Sequence, residues 1–247
     1  MVKIRTITAT YNEEKLLPHF LRHYSNISDS IIIWDNGSTD CTLEIAKSFP
    51  KVEVRTYETG GLNAIVKSER FESTRAESTD FDWCLLVDCD EFLVSNIGKS
   101  EREILEGRTD ADVLRTSGWQ MTQGKNEDPI DFSKNLFPQR RFGFPGWNKP
   151  IVIRSLTPVK FGPGCHDFKV RTSVRILSEP HILFLHYDAI DKEFWISRKT
   201  NRIIDPAIQG RGMGMHRNLP REQYERQWVS YQAATRQVFE SVRATTT

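Results

Sequence analysis

Long hydrophobic runs are missing from this chain. No apolar stretch among its 247 residues approaches the ~20 needed to cross a bilayer as a helix. The opening Met-Val-Lys-Ile-Arg-Thr-Ile-Thr passes straight into an alternating strand pattern, without a signal-type apolar region. Net charge is nearly absent too: 34 Lys and Arg stand against 33 Asp and Glu, leaving +1. That balance argues against a general nucleic-acid or membrane-surface binder. Cysteine is scarce, and Cys41, Cys84, Cys89 and Cys165 show no paired zinc spacing. Two of them fall in or beside an apolar strand, so reduced thiols in a soluble, cytoplasmic protein are expected rather than disulfides. No solenoid-type repeat is present. Nor does a glycine-rich, basic phosphate loop follow the first strand, where the acidic Tyr11-Asn12-Glu13-Glu14 stands instead.

What the chain does contain is an apolar run, Trp83-Cys84-Leu85-Leu86-Val87, that ends in three carboxylates within four residues, Asp88, Asp90 and Glu91. A run without polar alternation reads as a strand buried on both faces, as in a parallel sheet covered by helices. Its carboxyl end is where open α/β sheets place ligands. Alternation along an extended chain would turn Asp88 and Asp90 to one side, and two hard oxygen donors there suit a divalent cation that carries a phosphate. The plainer alternative is a pair of solvated loop acids.

Upstream, the chain repeats strand, loop and helix. Residues 2–9 alternate; Asn12 reads as a cap before the amphipathic run Leu16, Leu17, Phe20, Leu21 and Tyr24. Ser30 to Trp34 is a short apolar strand, followed by the turn Asp35-Asn36-Gly37-Ser38-Thr39-Asp40 and a helix from Thr42 to Phe49. Val52 to Tyr57 is a third strand, and Leu62 to Glu77 a helix with Lys67, Arg70 and Arg75 along it. Repeated βα units predict a mostly parallel, doubly wound sheet. Later come a strand over Ala111–Met121, an aromatic and cationic loop over residues 137–150 with Lys149 near its end, and two segments that pair His with an acid: Gly164-Cys165-His166-Asp167 and His186-Tyr187-Asp188. A helix over Asp191–Ile204, a glycine-rich basic loop with Arg211 and Arg217, and a helix from Pro220 follow. The stripe Tyr224, Trp228, Tyr231, Val238 and Val242 has the spacing of a packed helix face; it could also carry a homodimer contact.

Four features in order resemble family 2-like glycosyltransferases of the GT-A fold, in the subgroup with an Asp-x-Asp-Glu-Phe-Leu core. They are Thr8 to Glu14, Trp34 to Asp40, the basic helix near Arg70, and Leu86 to Leu93. The resemblance implies a three-layer α/β/α sandwich with a mostly parallel central sheet and a C-terminal helical extension. Residues 1–190 would be the catalytic domain, with 1–93 the nucleotide-binding half and 94–190 the acceptor half. Residues 191–247 would be the extension, packed on that domain. The implied activity is metal-dependent transfer of a sugar from a nucleoside-diphosphate donor, UDP-sugar before GDP-sugar, to a hydroxyl of a glycan or glycolipid, with inversion through a carboxylate base.

By the same resemblance, Thr10, Tyr11 and Glu13 would border the nucleotide base, and Asp35 would accept from the imide edge of a uracil. Asn36 departs from the Asp common at that position. Arg70 falls nearest the family's nucleotide-contacting Arg, with Lys67 and Arg75 as rivals. Asp88 would meet the ribose or a metal-bound water, and Asp90 the metal, Mn²⁺ or Mg²⁺, with His186 or else His166 as a further ligand. Asp167 is the first candidate for the base, ahead of Asp128, Asp131 and Asp188. Apart from the resemblance, the aromatic and cationic loop that carries Lys149 could bind a sugar or a phosphate or simply pack on the core, and the basic loop at Arg211, His216 and Arg217 could close over the diphosphate or be an exposed linker. Two other readings stand beside this one: a phosphatase of haloacid dehalogenase type with Asp88 as nucleophile, against which Phe92 counts, and a non-catalytic sugar-binding module.

Overall fold

A computed structural model of the chain describes residues 1–146, 148–170, 173–208 and 219–238. Strands β1 (Ile4–Thr10), β2 (Ser30–Asp35), β3 (Val52–Thr56) and β4 (Trp83–Leu86) run parallel in the order β3-β2-β1-β4. Their crossovers are α1 (Leu17–Ile27), α2 (Thr42–Lys47) and α3 (Ala64–Glu77). The order reverses once, between β3 and β4, and right-handed crossovers then put α3 on the face opposite α1 and α2. All of β4 is buried, as a strand covered on both faces must be. The reversal also leaves a crevice at the carboxyl ends of β1 and β4, the switch point at which such sheets bind ligands.

Beyond β4 the chain turns through Asp88–Asp90 into β5 (Glu91–Ser95) and then α4 (Glu101–Gly107), which a Ser100–Glu103 capping box closes. β6 (Val113–Thr122), β7 (Phe142–Pro145) and β8 (Val152–Arg154) extend the sheet beyond β4, with β8 antiparallel to both β4 and β6. β9 (Val159–Phe161) and β10 (Phe168–Val170) form a separate ribbon. The long β11 (Ile176–Ala189) lies parallel to β6 and antiparallel to β5. α5 (Lys192–Asn201), α6 (Arg221–Ala234) and β12 (Arg236–Gln237, paired with β7) complete the order. The result is the expected α/β sandwich, with a parallel core and antiparallel strands added on the β4 side.

Local expectations change at three places. Asn12 does not cap α1; it adopts φ 55° and its side chain accepts from the Thr39 N–H (2.8 Å), so the loops after β1 and β2 interlock instead. α6 ends at Ala234, which takes Val238 out of the helical stripe, and Val242 lies outside the described residues. The rest of that stripe is consumed within the chain. Tyr224, Trp228 and Tyr231 surround Trp195 of α5 at ring separations of 5.5, 5.8 and 5.5 Å, which removes the reason to expect a dimer contact through it.

The segment after α5 straps the extension to the parallel half. Leu62 N–H donates to Ile203 O (2.7 Å), Asp205 N–H to Leu62 O (3.2 Å), and Asn63 Nδ2 to Asp205 Oδ2 (2.6 Å). Gly61 permits this approach, at φ +145° and with the place of a Cβ only 2.6 Å from Ile203 O. Gly61→Ala is therefore expected to cost roughly 1–3 kcal/mol in urea denaturation, and to expose the strap at residues 203–205 to limited proteolysis while the rest of the chain stays protected.

Candidate active site

Among the described residues, the crevice between β1 and β4 holds a connected set of ion pairs. Asp88 contacts Lys67 (2.7 Å) and Lys149 (3.4 Å), and Lys149 also pairs closely with Glu91. Asp90 accepts from Arg198 (2.8 Å), which also reaches Glu13 (2.7 Å) and Asp188 (3.3 Å). Lys199 binds Asp188 (2.6 Å), and Arg202 binds Glu13. Five carboxylates thus meet five cations, most of them buried. Asp88, at 28 % side-chain exposure, is the carboxylate through which the set reaches solvent. Three of the cations belong to α5 or the residue that caps its end, so the C-terminal extension builds the site as well as packing beside it.

Burial opposes the charges of Asp88, Asp90, Asp188 and Lys149, and their partners outweigh it. Burial alone would raise Asp88, but Lys67 and then Lys149 hold it well below the usual carboxylate range. Asp90 is lowered against burial by Arg198, and Asp188 by Lys199 and Arg198. Lys149 is raised despite burial, because Glu91 and Asp88 favour its charge. Glu91 is pushed up to about 7 by burial, with Lys149 pulling against it and Asp88 and Asp90 adding to the rise.

His186 has a tautomer set by its neighbour. The Gln120 Nε2 donates to the carbonyls of Met121 (2.9 Å) and His186 (3.0 Å), which turns Gln120 Oε1 toward His186 Nδ1 (2.6 Å). Nδ1 must then carry the proton. Burial lowers the pKa of His186, so the neutral ring directs its Nε2 toward Asp90 Oδ1, 3.7 Å away. One ligand atom from each of Asp90, Glu91 and His186 lies within 4.8 Å of the others. Two carboxylate oxygens and an imidazole whose far nitrogen is anchored suit a divalent ion such as Mn²⁺ or Mg²⁺.

The other residues singled out in the sequence go to different places. Asp35 is 1 % exposed; its Oδ2 accepts from the Gly37 and Ser38 N–H groups (both 3.0 Å) and its Oδ1 from Thr10 Oγ1 (3.1 Å), so it largely holds its own turn. Asn36 donates to Gly61 O (3.1 Å) and accepts from Thr59 N–H (3.0 Å). A carboxylate cannot donate, which explains the departure from Asp at this position. The three basic residues of α3 separate cleanly: Lys67 meets Asp88, Arg70 lies over Trp34 (5.1 Å), and Arg75 is buried on Ser155 O. Tyr11 is half-buried beside this loop. Tyr57, raised to about 12 by burial and by Asp88 and Asp35, lies between the acidic turn and the β2 loop.

In the aromatic loop, Phe137 packs on Phe92 (5.3 Å) and Phe144 on Tyr231 (5.0 Å), so Lys149 is its contribution to the crevice. The 163–167 turn sits on α3, with Ser68 Oγ donating to Gly162 O (3.0 Å). His166 is pushed down to about 4 by loss of water around the ring and by Lys149 and Lys67. Asp167 is exposed, with its carboxylate folded against Gly162. Among the described residues it forms no ion pair, whereas Asp131 is paired to Lys134 and Asp188 to two cations. Asp128 is exposed. Arg211 and Arg217 lie outside the described residues.

Sequence reasoning missed the cationic face of α5. Arg198, Lys199 and Arg202 follow the i, i+1, i+4 spacing that gathers charge on one side of a helix, but nothing local marks that side as facing Glu13, Asp90 and Asp188. Gln120 gave no signal at all.

The family model described as glycosyl transferase family 2 matches residues 6–161. The chain belongs to that family. Residues of this glycosyltransferase-family chain also resemble an uncharacterized glycosyltransferase of Rickettsia typhi, 36 % identical over 94 residues, which are 38 % of this chain and 30 % of that protein. Solved structures of glucosyl-3-phosphoglycerate synthase from Mycobacterium tuberculosis, in complexes with Mn²⁺ and UDP or UDP-glucose, are 17 % identical over 47 % of this chain and 44 % of theirs, with TM-scores of 0.33 and 0.35. The chain thus spans less than a third of the curated relative and less than half of these structures.

The ion-pair set makes stability depend on acid. A carboxylate whose native pKa is depressed stabilises the fold above its unfolded value of about 3.9, and that contribution is lost as pH falls through it toward the native pKa. Asp188→Asn removes the buried carboxylate that Lys199 and Arg198 share and should cost about 3–5 kcal/mol at pH 7. It should also flatten the fall in urea midpoint between pH 5 and pH 3 relative to the native chain.

Proposed function

We propose that this chain transfers a sugar from a nucleoside-diphosphate donor, UDP-sugar in preference to GDP-sugar, to a hydroxyl of a glycan or glycolipid acceptor, with inversion at the anomeric carbon. The observation that carries the reading is the charge-balanced set at the β1/β4 switch point, with Asp90, Glu91 and His186 grouped on its inner side. These three would hold Mn²⁺ or Mg²⁺, which when bound neutralises charge on the departing nucleoside diphosphate. The imidazole among the donors favours Mn²⁺. Because the described carboxylates and cations of the crevice are equal in number, an added divalent ion is matched by the diphosphate of the donor, and the two belong in the crevice together.

Asp88, at the open end, is placed to meet the ribose or a metal-bound water. Lys67 and Lys149 beside it are available to the phosphates. Tyr57, Arg70, Tyr11 and Thr10 border the nucleoside, with Asp35 fixing the loop they share; Glu13 serves the crevice as an anchor for Arg198 and Arg202. His186 is preferred to His166 as the metal ligand because its Nδ1 is anchored and its Nε2 faces Asp90. For the base, Asp188 is neutralised by Lys199 and Arg198, a poor state for taking a proton, and Asp167 on the exposed turn at 163–167 is kept as the first candidate, ahead of Asp128. Phe92, fully buried in the core, counts against the phosphatase reading.

Thermal shift and calorimetry with UDP, GDP and other nucleoside diphosphates, with and without Mn²⁺, test the donor site. UDP with Mn²⁺ should raise the melting temperature as RT ln(1 + [L]/Kd) requires, and UDP alone should do so far less. Silence toward every nucleotide would overturn the proposal; glycan binding without nucleotide would favour the sugar-binding module.

Asp167→Asn should lower transfer by roughly 10²–10⁴-fold with UDP affinity unchanged. Normal turnover in that variant would remove Asp167 as the base.

A further inference from the structure

We infer that Arg198 is a tethered competitor for the divalent ion at Asp90, so that the site takes up metal strongly only when Arg198 is displaced or a diphosphate arrives with the ion. This rests on the metal reading above. Asp90 is shared between two directions: Oδ2 accepts from Arg198 (2.8 Å), while Oδ1 faces His186 Nε2 (3.7 Å) on the side where the three ligand atoms gather. A divalent ion entering there would bring two positive charges into a buried set whose described cations already match its carboxylates in number. In a medium of low polarity that excess is costly.

The pattern of pairing shows which cation can give way. Of the three carboxylates on Arg198, Glu13 keeps Arg202 and Asp188 keeps Lys199 when the guanidinium leaves. Asp90 has Arg198 as its guanidinium partner, and the incoming ion would replace it there. Departure of Arg198 therefore strands no buried carboxylate. Removal of Lys199 would take the close partner of Asp188, and Lys149, at 5 % side-chain exposure against 10 % for Arg198, is the more deeply buried cation. A second seat for Arg198 is at hand, since its guanidinium already lies 5.3 Å from the half-buried ring of Phe194, one turn earlier on α5. Because α5 is held by the strap at residues 203–205, the displaced charge stays at the mouth of the crevice, where the diphosphate of a donor would find it.

Electron paramagnetic resonance titration of Mn²⁺ tests this without turnover, comparing the native chain with Arg198→Met, each with and without saturating UDP. The native chain should bind Mn²⁺ weakly alone and at least tenfold more tightly with UDP. Arg198→Met should bind Mn²⁺ alone about tenfold more tightly than the native chain, within the usual span of coupling between sites, and gain less from UDP. Equal Mn²⁺ affinity in the two folded proteins without UDP would overturn the inference while leaving the metal site standing, provided both bind Mn²⁺ with UDP. Failure of both to bind Mn²⁺ in any condition would overturn the metal reading, and this inference with it. If Arg198→Met does not fold, Arg198→Lys serves under the same criterion. Its single ammonium cannot span three carboxylates as a guanidinium does, and its affinity for Mn²⁺ alone should exceed the native value.

Discussion

The structure depends on burying five carboxylates at the ends of strands without leaving any of them uncompensated. A parallel sheet delivers its loops to one edge, and the order β3-β2-β1-β4 opens that edge between β1 and β4. The acids collected there would be intolerable alone, since each loses its hydration. Cations drawn from α3, from the segment before β8 and from α5 make the arrangement stable. The distant parts of the chain are thereby forced into one geometry: Lys67, Lys149 and Arg198 can each reach their partners only if the sheet, the β7–β8 connection and the extension are all in place.

That requirement explains the division of labour at the acidic turn. Asp88 is open to solvent and clasped by lysines, flexible cations that a phosphate can share. Asp90 and Glu91 are buried and face an imidazole whose orientation is dictated two bonds away by an amide. The outer residue is suited to meeting a ligand and the inner ones to holding an ion, although all three come from the same four-residue stretch.

Much of this was legible in the sequence where periodicity speaks. The parallel core, the three crossover helices and the acidic strand end all follow from apolar runs and caps in the first ninety residues, where one segment's pattern suffices. The site was legible only on its acidic side. Asp88 and Asp90 announce themselves by position, whereas Arg198, Lys199 and Arg202 look like any solvated helix face until the tertiary fold turns them inward. Asn12 misled because a cap residue has the same composition whether it closes the helix ahead or the loop beside it. Asp35 and Asn36 show the same ambiguity: polar residues at a strand end serve the turn as readily as a ligand, and only their hydrogen-bond partners tell which.

The strap from Ile203 to Asp205 has one more consequence. The family model matches residues 6–161, but the positive charges that neutralise Glu13 and Asp90 within that span begin at residue 198. The segment recognised by family resemblance is therefore electrically incomplete. What is inherited as a recognisable unit and what must be present for the crevice to be neutral are different lengths of chain, and the hydrogen bonds between Leu62, Asn63 and the 203–205 segment are the seam that joins them.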